Sequence, residues 1–194
     1  MTRPSVAVRD ACPDDLPVVL EMWRELRDIG SRLDRATPPV SEDGALDRLL
    51  AITSDPDSRA LVATIGDQVA GMTVLTGARY APLFDQAAVH VHYLHVRDGH
   101  RRRGVGKALL AAAACFAEEV GAEHVMTSVL PQLRETNRFY ARLGFSPVVV
   151  RRSVSVSLLR RRLAAEGVAG AADNLLVRRR TLRRVRAAMA RVGD

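Results

Sequence analysis

A run of basic residues and glycines between a predicted strand and a predicted helix has the composition of a phosphate-binding loop. Its sequence is His100-Arg101-Arg102-Arg103-Gly104-Val105-Gly106-Lys107. The start of a helix exposes N–H groups without intrahelical partners and carries the positive end of the helix dipole. Glycines let the main chain approach a ligand closely, and arginine and lysine add charge and donors. The run predicts a diphosphate site, with a solvated arginine stretch before an ordinary helix as the alternative.

The spacing of the glycines excludes two common phosphate loops. A Walker A loop needs GxxxxGK[ST], and the sequence contains no such run. A dinucleotide fingerprint needs GxGxxG, whereas Gly104 and Gly106 are followed by Leu109 where the third glycine belongs.

Two histidines on one predicted strand are candidate general bases. His90 and His92 are two residues apart, so a strand places both imidazoles on one face. A histidine side chain accepts a proton near neutral pH. We expect a base or water relay, with hydrogen-bonded sheet histidines as the alternative. A metal site is the third interpretation, although no carboxylate or thiol lies at ligand spacing. His95 has the opposite parity unless a bulge intervenes, and its side chain is expected to be structural.

The elements that position these residues follow from hydrophobic periodicity. Strands are predicted at 5–9, 61–65, 69–76, 88–96, 124–130 and 145–158, and helices at 14–28, 42–53, 104–120 and 133–143. Gly66 opens the turn that joins the second and third strands as a hairpin. Helices alternate with strands in the second half of this order, which predicts a mixed α/β sheet flanked by helices.

Two motifs in register resemble those of the GNAT superfamily of N-acetyltransferases. Arg101-x-x-Gly104-x-Gly106, between a strand ending Leu94-x-Val96 and an amphipathic helix, resembles the superfamily's acetyl-CoA loop. Phe139-Tyr140-Ala141-Arg142-Leu143-Gly144-Phe145 looks like its later FYxxLGF segment. The resemblance covers residues from about 5 to 158, and it implies a mostly antiparallel central sheet.

The resemblance implies acetyl-CoA as the acyl donor and no metal. Main-chain groups of Leu94, His95 and Val96 would pair with the pantetheine arm like an added strand. The parting of the strands at 88–96 and 124–130 would give the thioester a slot. The diphosphate would be held by the loop residues Arg101, Arg102, Arg103, Gly104, Val105, Gly106 and Lys107.

The resemblance also implies roles for the candidate catalytic residues. Tyr140 would stand near the CoA sulfur as a general acid, with packing against CoA or the core as its alternative role. The pair His90 and His92 has the same offset from the loop as a His-x-His pair in arylalkylamine N-acetyltransferases. Many members carry an asparagine about seven residues before the tyrosine, but here that position is Leu133, and the nearer Asn137 is left unassigned.

The resemblance implies that an amine acceptor meets the first two helices and the loop before the fourth strand, here residues 23–45 and 77–87. The candidate contact residues are Trp23, Arg27, Tyr80 and Phe84, accompanied by Asp28, Asp34 and Asp85. Residues 1–60 contain 12 acidic and 8 basic side chains, so a cationic amine is electrostatically favoured. The alternative is an ordinary solvated surface.

Charge divides the chain unevenly. Residues 151–194 hold 12 arginines against three acidic residues, a net charge of +9, which leaves −2 of the total +7 for residues 1–150. We expect an acetyltransferase domain at 1–158 and a basic helical extension at 159–194, with a linker at 167–172 and a helix at 174–192. Arg178–Arg186 would pack on the domain or on a second copy in a homodimer. The alternative is a non-catalytic CoA-fold module tethered to nucleic acid, which the lack of aromatic residues after Phe145 disfavours.

Composition excludes several other classes of protein. An apolar fraction of 47% in 194 residues argues against a disordered or fibrous chain, and no apolar run approaches the ~18 residues of a membrane span. The first ten residues lack the apolar core of a signal peptide, so a cytoplasmic protein is expected. Cys12 and Cys115 are too few for a disulfide scaffold and are expected to be small buried residues.

Overall fold

A computed structural model describes residues 5–33, 44–81 and 86–166. Five strands form one sheet in the order β1-β2-β3-β4-β5. The strands are β1 (Val6–Asp10), β2 (Ser58–Ile65), β3 (Gln68–Arg79), β4 (Ala87–Val96) and β5 (His124–Thr127). The helices are α1 (Leu16–Leu33), α2 (Ala45–Ser54), α3 (Val105–Glu119), α4 (Arg134–Ala141) and α5 (Val156–Ala165), with 3-10 turns at Pro13–Asp15 and Asp98–His100.

The sheet is mostly antiparallel, as predicted. β1, β2, β3 and β4 pair antiparallel with their neighbours, and only β5 runs parallel to β4. The parallel pair follows from the connection through α3, since a parallel neighbour requires a crossover that a hairpin turn cannot provide. The predicted mixed α/β fold is therefore confirmed.

Two apolar clusters cover the two faces of the sheet. The α1–α2 cluster includes Met22 of α1 with Val62 and Met72 of the strands, all almost fully buried. The α3 cluster includes Leu109 and Leu75, which are also buried completely. Burying a side chain of this size contributes about 1.5–3 kcal/mol, so the helices are fixed to the sheet mainly by these faces.

A glycine in β3 lets α3 approach the sheet closely. A Cβ atom on Gly71 would lie 2.6 Å from Val105 Cγ1 and 2.9 Å from the carbonyl oxygen of His95. Both distances are shorter than real Cβ contacts, so any other residue would push α3 away. The first turn of α3 is thereby held beside the end of β4, where the predicted diphosphate loop begins.

Arg59 links β2 to the far end of α3. Its Nη2 lies 2.7 Å from Glu119 Oε2, and its guanidinium lies 5.1 Å from the centre of the Phe116 ring. Arg59 therefore connects the surface of the sheet to α3 through both an ion pair and a cation–π contact.

Several predicted boundaries are corrected by the structure. The predicted helix at 14–28 continues through Gly30 to Leu33, because a single glycine lowers helix stability without ending a helix. The last strand before α4 ends at Thr127 and not at residue 130. Cys12 and Cys115 are exposed, whereas the sequence predicted buried residues.

The predicted strand at 145–158 is wrong. Residues 145–155 belong to no helix or strand, and α5 begins at Val156. The alternation of valine and serine suggests a strand, but Val156, Leu159 and Leu163 also have helical spacing. Ser155 decides the outcome, because its hydroxyl accepts the N–H of Leu158 at 3.3 Å and caps the helix.

The chain divides into two compact units, one ending at Ser146 and the other beginning at Pro147. The predicted domain boundary after residue 158 stays a prediction. Some predictions lie outside the described residues. They concern Asp34, Phe84, Asp85, the linker at 167–172 and the basic helix at 174–192 with its arginines Arg178–Arg186.

Candidate active site

The predicted diphosphate loop turns sharply before α3. Gly104 is the N-cap residue with φ of +93°, a left-handed conformation that glycine adopts without steric cost. Arg102 also has a positive φ, of +59°. The Gly104 carbonyl accepts the first helical bond from Ala108 at 2.9 Å, and no side chain caps the helix. The amides of the first turn therefore remain available to an anion.

The arginines of the loop are exposed. Arg101 Nη2 pairs with Asp98 Oδ1 at 2.9 Å, and Arg101 Nε lies 3.5 Å from the carbonyl oxygen of Val96. Arg102 lies 3.9 Å from Glu135 of α4, and both of these side chains are more than four-fifths exposed. Exposed pairs of this kind contribute at most about 1 kcal/mol, so an anion can displace them.

The second glycine of the loop lies against the FYxxLGF segment. A Cβ atom on Gly106 would lie 3.3 Å from Phe139 Cζ and 3.9 Å from Leu94 Cδ2. Glycine at this position lets the ring of Phe139 pack beside the first turn of α3. The structure thus brings the two motifs, which are distant in sequence, into direct contact.

A β-bulge in β4 changes the side on which His95 lies. Val74 pairs with His92 but Met72 pairs with His95, so β4 contains one extra residue there. Tyr93, within the bulge, has a φ of +53°. The bulge places the side chains of His92 and His95 on the same face, which corrects the parity expected of a regular strand.

His95 is held by α1. Its ring is 6% exposed, and Nε2 lies 2.8 Å from Glu25 Oε2. The contact joins the bulge of β4 to the helix above it. This position supports the expected structural role of the His95 side chain, while its main chain remains part of β4.

His90 and His92 form a stacked pair on the same face. Their ring centroids are 5.6 Å apart and their planes differ by 22°. His92 Nε2 lies 2.9 Å from Thr76 Oγ1 of β3, and both histidines are half-buried. The two imidazoles therefore lie on one face of β4, as their spacing predicts, and the Thr76 hydroxyl is a polar neighbour of His92.

The strands β4 and β5 separate in the middle of β4. Their pairing extends from Ala88 with His124 to Val91 with Thr127, where β5 ends. β4 continues to Val96, so its last five residues lie beyond the reach of β5. The residues Leu94, His95 and Val96 lie in this segment, as the predicted pantetheine site requires.

Tyr140 is buried among aromatic rings. Tyr140 is only 6% exposed. Its ring meets two others edge-on, with centroid distances of 5.3 Å to Phe139 and 5.1 Å to Phe145. Burial raises the pKa of the phenol above its usual value of 10, and a hydrogen bond with Thr127 opposes that shift. The phenol is therefore protonated at neutral pH and can donate a proton.

Asn137 lies near the start of α4, where its side chain has a structural position. Its Nδ2 donates to the carbonyl oxygens of Leu130 at 3.0 Å and Leu133 at 2.9 Å. These two bonds close the turn that connects β5 to α4.

The candidate acceptor residues lie in two separate places. Arg27 lies over the ring of Trp23 on α1, 5.4 Å from the ring centre. Tyr80 contacts His124 with ring centroids 4.9 Å apart, and its amide donates to the Gln86 carbonyl. Tyr80 thus lies near the first residues of β4 and β5, at the other end of β4 from the predicted diphosphate loop.

Sequence analysis missed four residues that shape this region, namely Glu25, Gly71, Thr76 and Thr127. Only Gly71 carried a signal, because an isolated glycine within an apolar strand often marks a close approach of another backbone. The other three act through contacts with distant residues and have no local signature.

The described residues contain neither a cluster suited to a metal ion nor a helix suited to a membrane. Within 5–33, 44–81 and 86–166, no three His, Cys, Asp or Glu side chains lie together in a way that could hold a metal ion. In the same ranges, none of the helices has the length and apolarity needed to cross a membrane.

Comparison with protein families decides the classification. The model of the Acetyltransferase (GNAT) family matches residues 23–145, which is more than half of the chain. The chain belongs to the GNAT family. The match includes β4, the predicted diphosphate loop, α3 and the FYxxLGF segment, so the resemblance predicted from the two motifs is confirmed. The particular likeness to arylalkylamine N-acetyltransferases stays a prediction.

Individual relatives agree with this GNAT assignment. A streptothricin acetyltransferase of Streptomyces lavendulae is 31% identical over 93 residues, which cover 47% of this chain and 47% of that protein. The match thus spans about half the length of the curated relative.

Solved structures share the GNAT fold. A GCN5-related N-acetyltransferase from Ralstonia eutropha JMP134 superposes with a TM-score of 0.63 at 25% identity, covering 78% of this chain and 99% of that one. An aminoglycoside acetyltransferase from an uncultured soil metagenomic sample, in complex with trehalose, has a TM-score of 0.59 at 16% identity, covering 78% and 96%.

Proposed function

We propose that this protein transfers the acetyl group of acetyl-CoA to a primary amine, by direct attack within a ternary complex. The contact between Gly106 and Phe139 is the observation that supports this most strongly. It links the loop suited to a diphosphate with the helix that carries a buried, protonated phenol. Gly106 also lies beside Leu94, in the part of β4 that β5 leaves unpaired.

The residues present fit acetyl-CoA. The amides of residues 102–107 would hold the diphosphate, with Arg101, Arg103 and Lys107 supplying positive charge around it. Main-chain groups of Leu94, His95 and Val96 would pair with the pantetheine arm. The long contact between Arg101 Nε and the Val96 carbonyl would give way to that pairing. Bound acetyl-CoA supplies the thioester that the amine attacks.

The chain's own groups would move the two protons of the reaction. A protonated amine has no lone pair, so His90 and His92 would remove a proton from it directly or through water. Strand amides beside the parted strands would donate to the developing oxyanion. Tyr140 would give a proton to the departing thiolate. We infer these roles from the stacked imidazoles and from the burial of the phenol.

The acceptor proposed is a small cationic amine. The net charge of −4 on residues 1–60 favours a positively charged molecule. Two carboxylates of α1 face the end of β4, where Glu21 contacts Arg97 and Glu25 contacts His95. The curated relative is named a streptothricin acetyltransferase, and one of the similar solved structures is named an aminoglycoside acetyltransferase. Trp23 and Arg27 on α1 would contact the acceptor.

The test is release of thiol from acetyl-CoA in the presence of a panel of amines. Gly104→Glu places a carboxylate and a strained backbone in the loop, so it should abolish binding of CoA and transfer. Gly66→Glu is the matched control, because Gly66 has a φ of +59° and equally open surroundings but lies in the β2–β3 turn. Normal CoA binding by Gly104→Glu would contradict the proposed function. A thermal-shift screen of acyl-CoAs would identify the preferred donor.

A further inference from the structure

Three polar side chains share one face of the sheet where β3 and β4 pair. Thr76 of β3 pairs with His90 of β4. Val74 pairs with His92 in the same way and belongs to the α1–α2 cluster. Paired residues of antiparallel strands point to the same face, and so do residues two apart along one strand. The threonine and both histidines therefore face α1 and α2, on the side where Trp23 packs.

Within this group the hydroxyl of Thr76 reaches diagonally to the second histidine. Thr76 Oγ1 lies 2.9 Å from His92 Nε2, which is hydrogen-bond distance. The other face of the contact is the stacked ring of His90, whose centroid lies 5.6 Å from that of His92. One imidazole of the pair is thus fixed at a ring nitrogen by a neighbouring strand.

Two further titratable groups face this part of β4. The ring of Tyr93 lies 6.1 Å from that of His92. The carboxylate of Glu25 faces the same side of β4 from α1, where it lies 2.8 Å from the Nε2 atom of His95. Thr76 is therefore the neighbour that contacts a nitrogen of the His92 ring directly, whereas the α1 carboxylate is engaged three residues further along β4.

The chemistry of imidazole makes this contact unequal for the two histidines. Two positive rings stacked at this distance repel, so a proton on one disfavours a proton on the other. An imidazolium carries a hydrogen on both nitrogens, so protonated His92 donates from Nε2 to Thr76 Oγ1. A hydrogen bond from a charged donor is roughly twice as strong as one between neutral groups. The hydroxyl thus stabilises a proton on His92 relative to one on His90.

We propose that Thr76 is a positioning residue that makes His92 the member of the pair that carries the proton taken from the acceptor amine, an inference that rests on the proposed function. In this step an N–H bond of the ammonium breaks and its electron pair stays on the amine nitrogen, which attacks the thioester. A new N–H bond forms on the imidazole, and Thr76 holds the ring through Nε2 while the charge is present. Water takes the proton from the ring afterwards, which returns His92 to its neutral form.

The experiment compares Thr76→Val, which removes the hydroxyl and keeps the branched shape, with Thr76→Ser, which keeps the hydroxyl. Thr64→Val is the matched control, because Thr64 is half-buried like Thr76 but lies in β2, two strands from β4. The first readout is the titration of His92, followed by proton NMR of the histidine rings in the protein without substrates. His92→Ala identifies its signal among the five histidines of the chain.

We expect Thr76→Val to lower the pH at which His92 takes up its proton, because the imidazolium loses an acceptor. Thr76→Ser and Thr64→Val should leave that pH unchanged. In acetyl transfer, Thr76→Val should lower kcat on the order of tenfold with little change in KM for either substrate, since hydrogen bonds to charged groups have about that effect. The acid side of its pH–rate profile should move to lower pH, and Thr76→Ser should restore both properties.

Single histidine variants show which ring the hydroxyl serves. In the His92→Ala background, Thr76→Val should have no further effect on kcat, because the group through which it acts is gone. In the His90→Ala background, the loss caused by Thr76→Val should persist.

Three results would overturn the assignment. They are an unchanged His92 titration in Thr76→Val, a failure of Thr76→Ser to restore the rate, and an equal loss of kcat with and without His92. A chain that acetylates none of the amines would instead remove the proposed function, and with it the role of Thr76 in turnover. The titration reports the contact between the two side chains without any turnover, so the two failures are distinguishable.

Discussion

At the scale of single residues, the stacked pair His90 and His92 makes the pH dependence of the reaction predictable. A histidine relay works in its neutral form, so the rate of the wild-type protein should fall towards acidic pH, where the imidazoles become protonated. Replacing both by alanine should lower kcat by about 10²–10⁴-fold and flatten the acid side of the pH–rate profile.

The matched control for this pair is His124→Ala, at the start of β5, which should leave the shape of the acid side unchanged. Steady-state rates between pH 5.5 and 8 would measure both variants. An acid side that stays the same in the double variant would show that the two imidazoles are sheet histidines without a role in proton transfer.

At the scale of elements, Asp15 joins β1 to the start of α1. Arg9 Nη2 of β1 lies 2.9 Å from Asp15 Oδ1, and the amide of Cys12 donates to Oδ2 at 2.8 Å. The Arg9 guanidinium, together with the donors of Cys12, holds the pKa of this buried carboxyl far below its usual range. The ionised carboxylate thus fixes the direction in which the chain enters α1.

This junction predicts a pH-dependent stability. A carboxyl whose pKa is lowered in the folded protein stabilises it above the unfolded value of about 3.9 and loses that contribution as the pH falls below it. Asp15→Asn should therefore lower the free energy of unfolding by about 1–3 kcal/mol at pH 7. The difference from wild type should shrink as the pH decreases below about 4.

Urea denaturation at a series of pH values measures the effect, with Asp14→Asn as the control. Asp14 is adjacent but exposed, and its replacement should change little. A loss of stability that is equal at pH 7 and at pH 3 would mean that the side-chain shape of Asp15 matters and its charge does not.

At the scale of the whole molecule, the residues proposed for catalysis all lie before Ser146, whereas the net positive charge belongs to residues 151–194. Residues 151–194 carry +9 and the preceding 150 residues carry −2. Removing residues 174–194 should therefore leave CoA binding and acetyl transfer intact. Binding of the full chain to duplex DNA or RNA should stay weak at low salt.

The opposite outcome is equally specific. Nucleic-acid binding that falls steeply with salt and disappears with residues 174–194 would favour the tethered module, because counterion release gives binding that dependence. Filter binding at two salt concentrations, together with the transfer assay on the shortened chain, separates the two functions.

The sequence by itself determined the features that depend on neighbours along the chain. Gly104 and Gly106 mark the loop because a left-handed N-cap and a close approach to Phe139 both require glycine. Periodicity located the strands of the sheet, and the two motifs together indicated the GNAT family. The local pattern failed at 145–158, where alternation and helical spacing coincide and the cap at Ser155 favours the helix.

Only the tertiary structure decided how distant residues meet. The bulge at Tyr93 reverses the parity of His95, and its partner Glu25 is 70 residues away. The contact of Thr127 with Val91 spans 36 residues and exists because β5 is parallel to β4 and ends there. Hydrogen bonds of this kind depend on strand register and helix position, which are fixed by packing across the sheet and leave no periodic trace in the sequence.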